Sequence, residues 1–141
     1  MNNITSANAT AYMTVKDLYP AGFALNNFAT DQAIDEDEDT IAETRMGVDG
    51  YMAAGYTPSI KAVNITFEAT SPSVQYLNNV YLASQKNRRT YEVTLVINVP
   101  STGKVYTYSY GVMKTAKPLP ALKTVLDPVS YGFDFEKRSI L

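Results

Sequence analysis

The residues with the clearest chemical potential are five consecutive carboxylates, Asp35 to Asp39, inside the stretch 31–43. Such a cluster could bind calcium, or one carboxyl of a pair could act as a general acid or base. An EF-hand loop that starts at Asp35 needs glycine at its sixth position and glutamate at its twelfth. Thr40 and Met46 occupy those positions. Acid–base chemistry needs a carboxyl group that is removed from water. Five adjacent carboxylates in a polar loop cannot all be buried, so this chemistry is disfavoured.

The third interpretation of this stretch is a solvated loop that projects from the domain. Residues 31–43 hold seven of the fourteen acidic residues and no basic residue, so their mutual repulsion favours an extended conformation. A loop of this kind can become ordered against a basic partner. Its acidic residues are Asp31, Asp35, Glu36, Asp37, Glu38, Asp39 and Glu43.

A basic cluster, formed by Lys86, Arg88 and Arg89, follows the helix predicted below. These charges either complement the dipole at the helix C-terminus or form a socket for the acidic loop of a neighbouring copy. Lys117 and Lys123 are the alternative receptor. The charge pattern thus predicts a contact between subunits.

Other kinds of chemistry lose their usual residues in this sequence. Cysteine and histidine are absent, which removes the common ligands of zinc, haem and iron–sulfur clusters and excludes catalytic groups that depend on either residue. Tyr106, Tyr108 and Tyr110 alternate along a predicted strand, as in a base-stacking platform. The net charge of -2 and the pI near 5.0 oppose a nucleic-acid site. We expect no enzyme activity, no cofactor and no metal.

Composition also constrains the setting of the protein. Charged residues are 18% of the chain, below the ~25% of average soluble domains, and eleven tyrosines are present, so we expect part of the surface to meet other protein. The N-terminal residues lack the basic and apolar regions of a signal peptide. No apolar run reaches the ~18 residues of a membrane-spanning helix. We expect a cytosolic product without a membrane anchor, with one domain over residues 1–141 and a flexible arm at 1–10.

Most of the elements that must carry these residues are predicted strands. Alternation of apolar and polar residues predicts strands at 11–17, 23–29, 60–69, 91–99, 104–113 and 130–137. "YPAG" at 19–22 predicts a turn, and three glycines within 44–58 predict tight hairpins. The predicted core residues are Val63, Ile65, Phe67, Leu77, Val93, Leu95, Ile97, Phe133 and Phe135.

One helix interrupts the strands, over residues 70–85. Ser71 is a suitable N-cap, Pro72 stands at the first helical position, and Val74, Leu77 and Tyr81 recur at helical spacing. The sequence therefore predicts a mainly β fold, an antiparallel barrel or sandwich with one flanking α-helix.

The order of these elements resembles bacteriophage tail tube proteins of the contractile-tail type. The matching pieces are the turn Gly47-Val48-Asp49-Gly50, the strand from Val63 to Ala69, the helix start Ser71-Pro72-Ser73 and the central Leu77. The long hairpin 91–113 and the closing aromatic strand continue the match, which spans residues 10–137. The ring proteins of long non-contractile phages and of type VI secretion look similar.

The resemblance implies a structural virion protein that self-assembles into stacked hexameric rings. These rings would form the inner tail tube, through which DNA passes without specific binding. The implied partners are other copies of the chain and the sheath, tape-measure and baseplate proteins. The implied location is the virion tail, after assembly in the host cytoplasm. In that setting the acidic stretch would latch ring to ring or line the bore. The alternatives are another ring-forming tail or baseplate component, such as a tube initiator or terminator, and a soluble β-barrel binding module.

Overall fold

The computed structural model describes residues 9–25, 34–120 and 122–141 and contains one large antiparallel sheet. The elements in chain order are β1 (Thr10–Val15), β2 (Tyr19–Leu25), β3 (Ile34–Glu36), β4 (Ala42–Met46), β5 (Met52–Tyr56), β6 (Lys61–Phe67), α1 (Pro72–Asn87), β7 (Val93–Val99), β8 (Lys104–Ala116) and β9 (Val129–Ile140). Seven strands form the sheet in the order β2-β1-β7-β8-β9-β6-β3, and β4 and β5 pair separately. The predicted mainly β, antiparallel fold with one flanking helix is confirmed.

The hydrophobic core lies on one face of the seven-stranded sheet, because apolar residues alternate along each of its long strands. Leu95 sits at its centre: β7 runs between β1 and β8, and Leu95 is paired with Met13 on one side and Tyr108 on the other. All nine predicted core side chains are buried, namely those of Val63, Ile65, Phe67, Leu77, Val93, Leu95, Ile97, Phe133 and Phe135.

Helix α1 starts where the sequence predicts. Ser71 has an extended backbone and its side chain accepts a hydrogen bond from the Ser73 amide, while Pro72 stands in the first turn. This geometry satisfies one of the free amides of the helix start. The helix ends at Arg88, which takes the left-handed conformation. The described residues contain no helix with the length and apolarity needed to cross a membrane.

The buried face of α1 differs from the predicted one. Ser73, Leu77 and Val80 are buried, whereas Val74 and Tyr81 lie at the edge of the contact and are only half-buried. A hydrogen bond between the helix and the sheet favours this orientation of the helix about its axis. The Tyr131 hydroxyl donates to Asn78 Oδ1 at 2.6 Å, and burial raises the pKa of Tyr131 to about 12.

Two local predictions are wrong. "YPAG" is not a turn but belongs to β2; the chain reverses at residues 16–18 instead, where Asp17 has a φ of 73°. The tyrosine row is also broken. Val93 pairs with Gly111 but Leu95 with Tyr108, so β8 carries an irregularity between these positions. Tyr108 is therefore buried while Tyr110, with a φ of 57°, is exposed, and no continuous stacking platform results.

The first strand begins earlier than predicted. Thr10 already belongs to β1, because its register continues the pairing of β1 with β7 as far as Asn98. Residues 1–8 of the predicted arm lie outside the described residues.

Candidate assembly surfaces

The hairpin formed by β4 and β5 stands apart from the main sheet. Its two strands pair only with each other, and residues 40–56 are all exposed. At its base the Thr57 amide donates to the Ile41 carbonyl at 3.1 Å. At its tip the Gly47 amide donates to the Tyr51 carbonyl at 2.8 Å, and Gly50 has a φ of 85°, which favours glycine. The hairpin is thus a formed element that projects from the domain.

One face of this hairpin is apolar and uncovered. Directly paired residues of an antiparallel pair point to the same side, and the register pairs Ala42 with Tyr56 and Met46 with Met52. We call the large side chains of this face, Met46, Met52 and Tyr56, the hairpin patch; they are 66%, 64% and 81% exposed. The opposite face carries Glu43 and Arg45.

An exposed apolar face of this kind indicates a binding surface. A two-stranded hairpin is at best marginally stable alone in water, and contiguous exposed apolar side chains mark interaction sites. This surface is not among the sites predicted from the sequence. The only signal in the sequence is that Met46, Met52 and Tyr56 flank the glycine turn at positions of the same parity, since residues 52–56 contain no polar residue that would mark an alternation.

Residues 34–37 of the acidic stretch are not part of the free loop that the sequence predicts. Ile34–Glu36 forms the edge strand β3, in which Glu36 is paired with Val63 of β6. The Asp37 amide continues this ladder by donating to the Ala62 carbonyl at 2.9 Å. Asp31 lies outside the described residues. The stretch from 34 to 37 is therefore held along the domain's own sheet.

Cations from the same chain explain why this acidic segment is held. Arg138 forms a salt bridge with Glu36, and its Nη2 atom lies 3.4 Å from Asp39 Oδ2. Lys61 Nζ lies 3.5 Å from the same Asp39 oxygen. The Tyr108 hydroxyl donates to Glu36 Oε2 at 2.6 Å. Burial, reinforced by the bond to Glu36, raises the pKa of Tyr108 above its usual value.

These contacts divide the five adjacent carboxylates into two groups. Glu36 and Asp39 point inward into the charge network, whereas Asp35, Asp37 and Glu38 are exposed. Only the exposed group is free to meet a partner. Among the described residues, no group of three or more potential ligands is arranged to hold a metal ion.

The predicted basic receptor is not brought to the acidic segment within one chain. Arg89 lies 3.2 Å from Asp17 and stacks over the Tyr91 ring at 4.5 Å. Lys86 and Arg88 form no ion pair with any described residue. A contact between this cluster and the acidic segment of another copy stays a prediction, as does the bore-lining alternative.

A second set of exposed apolar side chains lies in the connection between β8 and β9. Residues 117–120 and 122–128 have no helix or strand. Leu119, Leu122 and Val125 are 68%, 76% and 78% exposed, and we call these three side chains the connector patch. Lys123 Nζ lies 3.1 Å from Asp127 in the same segment.

The two groups of carboxylates predict different effects of neutralisation. Glu36→Gln with Asp39→Asn leaves Arg138 and Lys61 without their partners, and we expect a loss of about 1–3 kcal/mol in the free energy of unfolding. Asp35→Asn with Glu38→Gln removes the same formal charge from exposed positions and should change this free energy by less than about 0.5 kcal/mol. Denaturant unfolding of both double variants measures the difference. Equal losses would contradict the division into two groups.

Comparison with solved structures finds the same fold in contractile injection systems. One chain of the anti-feeding prophage (AFP) baseplate, solved by cryo-EM with six-fold symmetry, has a TM-score of 0.62 at 11% identity, covering 100% of this chain and 97% of that chain. A chain of the PVC sheath-tube complex in the extended state has a TM-score of 0.58 at 10% identity, covering 93% and 87%. A chain of the PVC sheath/tube terminator has a TM-score of 0.54 at 8% identity, covering 100% and 98%.

At identities this low, the structural similarity shows a shared fold and nothing more. No curated protein is significantly similar in sequence. A family model described as "Tail fiber protein gp32" matches residues 2–139, which is nearly the whole chain. The resemblance to tail proteins predicted from the sequence is thereby confirmed at the level of a phage-tail-like protein. The chain belongs to the tail fiber protein gp32 family.

Proposed function

We propose that this chain is a self-assembling structural subunit of a phage tail, whose copies form rings that stack into the inner tail tube. The observation that carries the proposal is the hairpin patch. An isolated subunit would keep Met46, Met52 and Tyr56 in water on an element that contributes nothing to its own core. An assembly surface is the physical reason for such a face.

The edges of the sheet support ring formation. β2 and β3 are the terminal strands of the sheet order, and β3 has only three residues, so it covers only part of β6. Open strand edges pair readily with other chains. Heterologous pairing around a closed ring satisfies every edge and leaves none exposed within the ring. Six subunits per ring is the number implied by the resemblance to tail tube proteins, and the similar AFP baseplate was solved with six-fold symmetry.

The face of the sheet opposite the core suits a bore through which DNA moves. Its positions on the central strand β7 are Thr94, Val96 and Asn98, and those on β1 include Thr10 and Thr14. These side chains carry no charge, and on β9 of the same face Asp134 lies 3.5 Å from Lys114, so the face offers few free cations to bind phosphates. DNA would pass without specific binding. The proposed partners are further copies of the chain and the sheath, tape-measure and baseplate proteins, in a virion tail that assembles in the host cytoplasm. The proposal assigns no catalytic role.

The second candidate is a ring that begins or ends the tube. The similarities to a baseplate chain and to a sheath/tube terminator favour it, while the similarity to the sheath-tube complex favours the tube itself. The two candidates differ in whether a ring can add further copies at both ends without limit.

Negative-stain electron microscopy and sedimentation of the purified full chain test the proposal. We expect open-ended hollow tubes of variable length, since each stacked ring presents the same surfaces as the last. Isolated rings of uniform thickness would instead support the baseplate or terminator candidate. A chain that stays monomeric at every accessible concentration would overturn both and favour a soluble binding module.

A further inference from the structure

The two exposed apolar surfaces lie at opposite ends of the same strands. Phe67 at the end of β6 is paired with Val129, the first residue of β9, which follows the connector. Lys61 at the start of β6 is paired with Phe135, further along β9. Lys61 and Arg138 both hold Asp39, just before the hairpin. The hairpin therefore lies at one end of the β6–β9 pair, and the connection between β8 and β9 lies at the other end.

We propose that the hairpin patch of one copy docks on the connector patch of the next copy, in a repeated head-to-tail contact. This inference rests on the proposed self-assembly and names the two surfaces that meet. Each patch carries three large exposed apolar side chains. Because the patches differ and lie at opposite ends, the contact is heterologous and extends from copy to copy instead of closing as a two-fold dimer.

Charge complementarity favours this pairing over contact between like surfaces. Residues 35–49 contain seven carboxylates and a single basic residue, Arg45. Two of these carboxylates, Glu36 and Asp39, are held by Arg138 and Lys61, so five remain to face a partner.

Residues 114–128 contain three lysines and a single acid, Asp127. Lys114 and Lys123, both exposed, form ion pairs with Asp134 and Asp127, and Lys117 forms no ion pair with a described residue. Hairpin against hairpin would bring two strongly acidic segments together, which is unfavourable. Hairpin against connector places the acidic segment beside the lysines.

Disulfide trapping tests the contact, because the chain has no cysteine of its own. Met52→Cys is combined in one chain with Leu119→Cys, Leu122→Cys or Val125→Cys, each at an exposed position. A disulfide needs the two Cα atoms within about 4.4–6.8 Å, so only neighbouring surfaces link. After mild oxidation of assembled protein, we expect a ladder of dimers, trimers and higher species for at least one pair on a non-reducing gel.

The matched control is Met52→Cys with Leu82→Cys, since Leu82 is exposed on α1 and belongs to neither patch. It should give no ladder. Met52→Cys alone should give no dimer, because the proposed contact keeps two hairpins apart. Assemblies that form normally while every connector pair fails to link, or while the Leu82 pair links as well, overturn the proposed contact and leave self-assembly standing. Absence of any assembly by the unsubstituted chain overturns the proposed function itself.

Discussion

Replacement of Leu95 by Asp is expected to leave little folded protein. Leu95 is fully buried on β7, between Met13 of β1 and Tyr108 of β8. None of the six salt-bridge pairings among described residues includes a residue of β7, and Arg138, two strands away across Tyr108, is already held by Glu36 and Asp39. An uncompensated buried charge costs about 3–5 kcal/mol, a large share of the roughly 5–15 kcal/mol that stabilises an average domain. Circular dichroism and thermal unfolding of Leu95→Asp measure the effect.

Asn98→Asp is the control for this substitution. Asn98 is on the same strand but exposed on the opposite face, so a carboxylate there stays in water and should change stability by less than about 0.5 kcal/mol. A soluble Leu95→Asp protein that unfolds cooperatively at the original temperature would show that β7 faces its core with the other set of side chains. Such a result would contradict the pairing of β7 with its neighbours, and with it the distinction between the buried and exposed faces of the sheet.

The parts of the fold that could be predicted depend on short-range signals. Alternation along residues 91–99 predicts a strand whatever its neighbours are, and Ser71 with Pro72 defines a helix start within three residues. The faces that these elements bury were harder to predict. Ser73 and Val80 are buried in the contact of α1, while Val74 packs against the core only in part and Tyr81 is half-buried, because the helix rotation is set by packing on distant strands.

The acidic segment was misjudged because its partners are remote in sequence. Arg138 meets Glu36 across 102 residues, and Tyr108 meets it across 72. Charge density alone indicates mutual repulsion and an extended loop. It carries no information on which carboxylates turn inward once β3 pairs with β6. The exposed hairpin face could not be predicted for a different reason. The glycine turn is visible in the sequence, but exposure of the strands beside it depends on whether another element of the fold covers them.

Removal of the hairpin is expected to abolish assembly and to leave the domain folded. Residues 42–56 are all exposed, so their removal uncovers no core side chain. Ile41 and Thr57 are already joined by a backbone hydrogen bond of 3.1 Å, and an Asn-Gly pair inserted between them forms the tightest common hairpin turn. We expect the shortened chain to unfold with an unchanged midpoint but to sediment as a monomer under conditions in which the full chain assembles.

Substitutions on the two faces of the hairpin test whether the apolar face itself docks on a neighbour or whether only the presence of the hairpin matters. Met46→Ser, Met52→Ser and Tyr56→Ser together remove the hairpin patch and should abolish assembly as fully as the deletion. Glu43→Gln with Arg45→Gln alters the opposite face at unchanged net charge. This pair of substitutions should change the free energy of each contact between copies by less than about 0.5 kcal/mol, the size of effect that is usual at exposed positions. Electron microscopy and sedimentation of both variants give the answer. If the apolar variant assembles normally while the deletion does not, the hairpin acts through its backbone edge, as an added strand on a neighbour's sheet, and not through its apolar face.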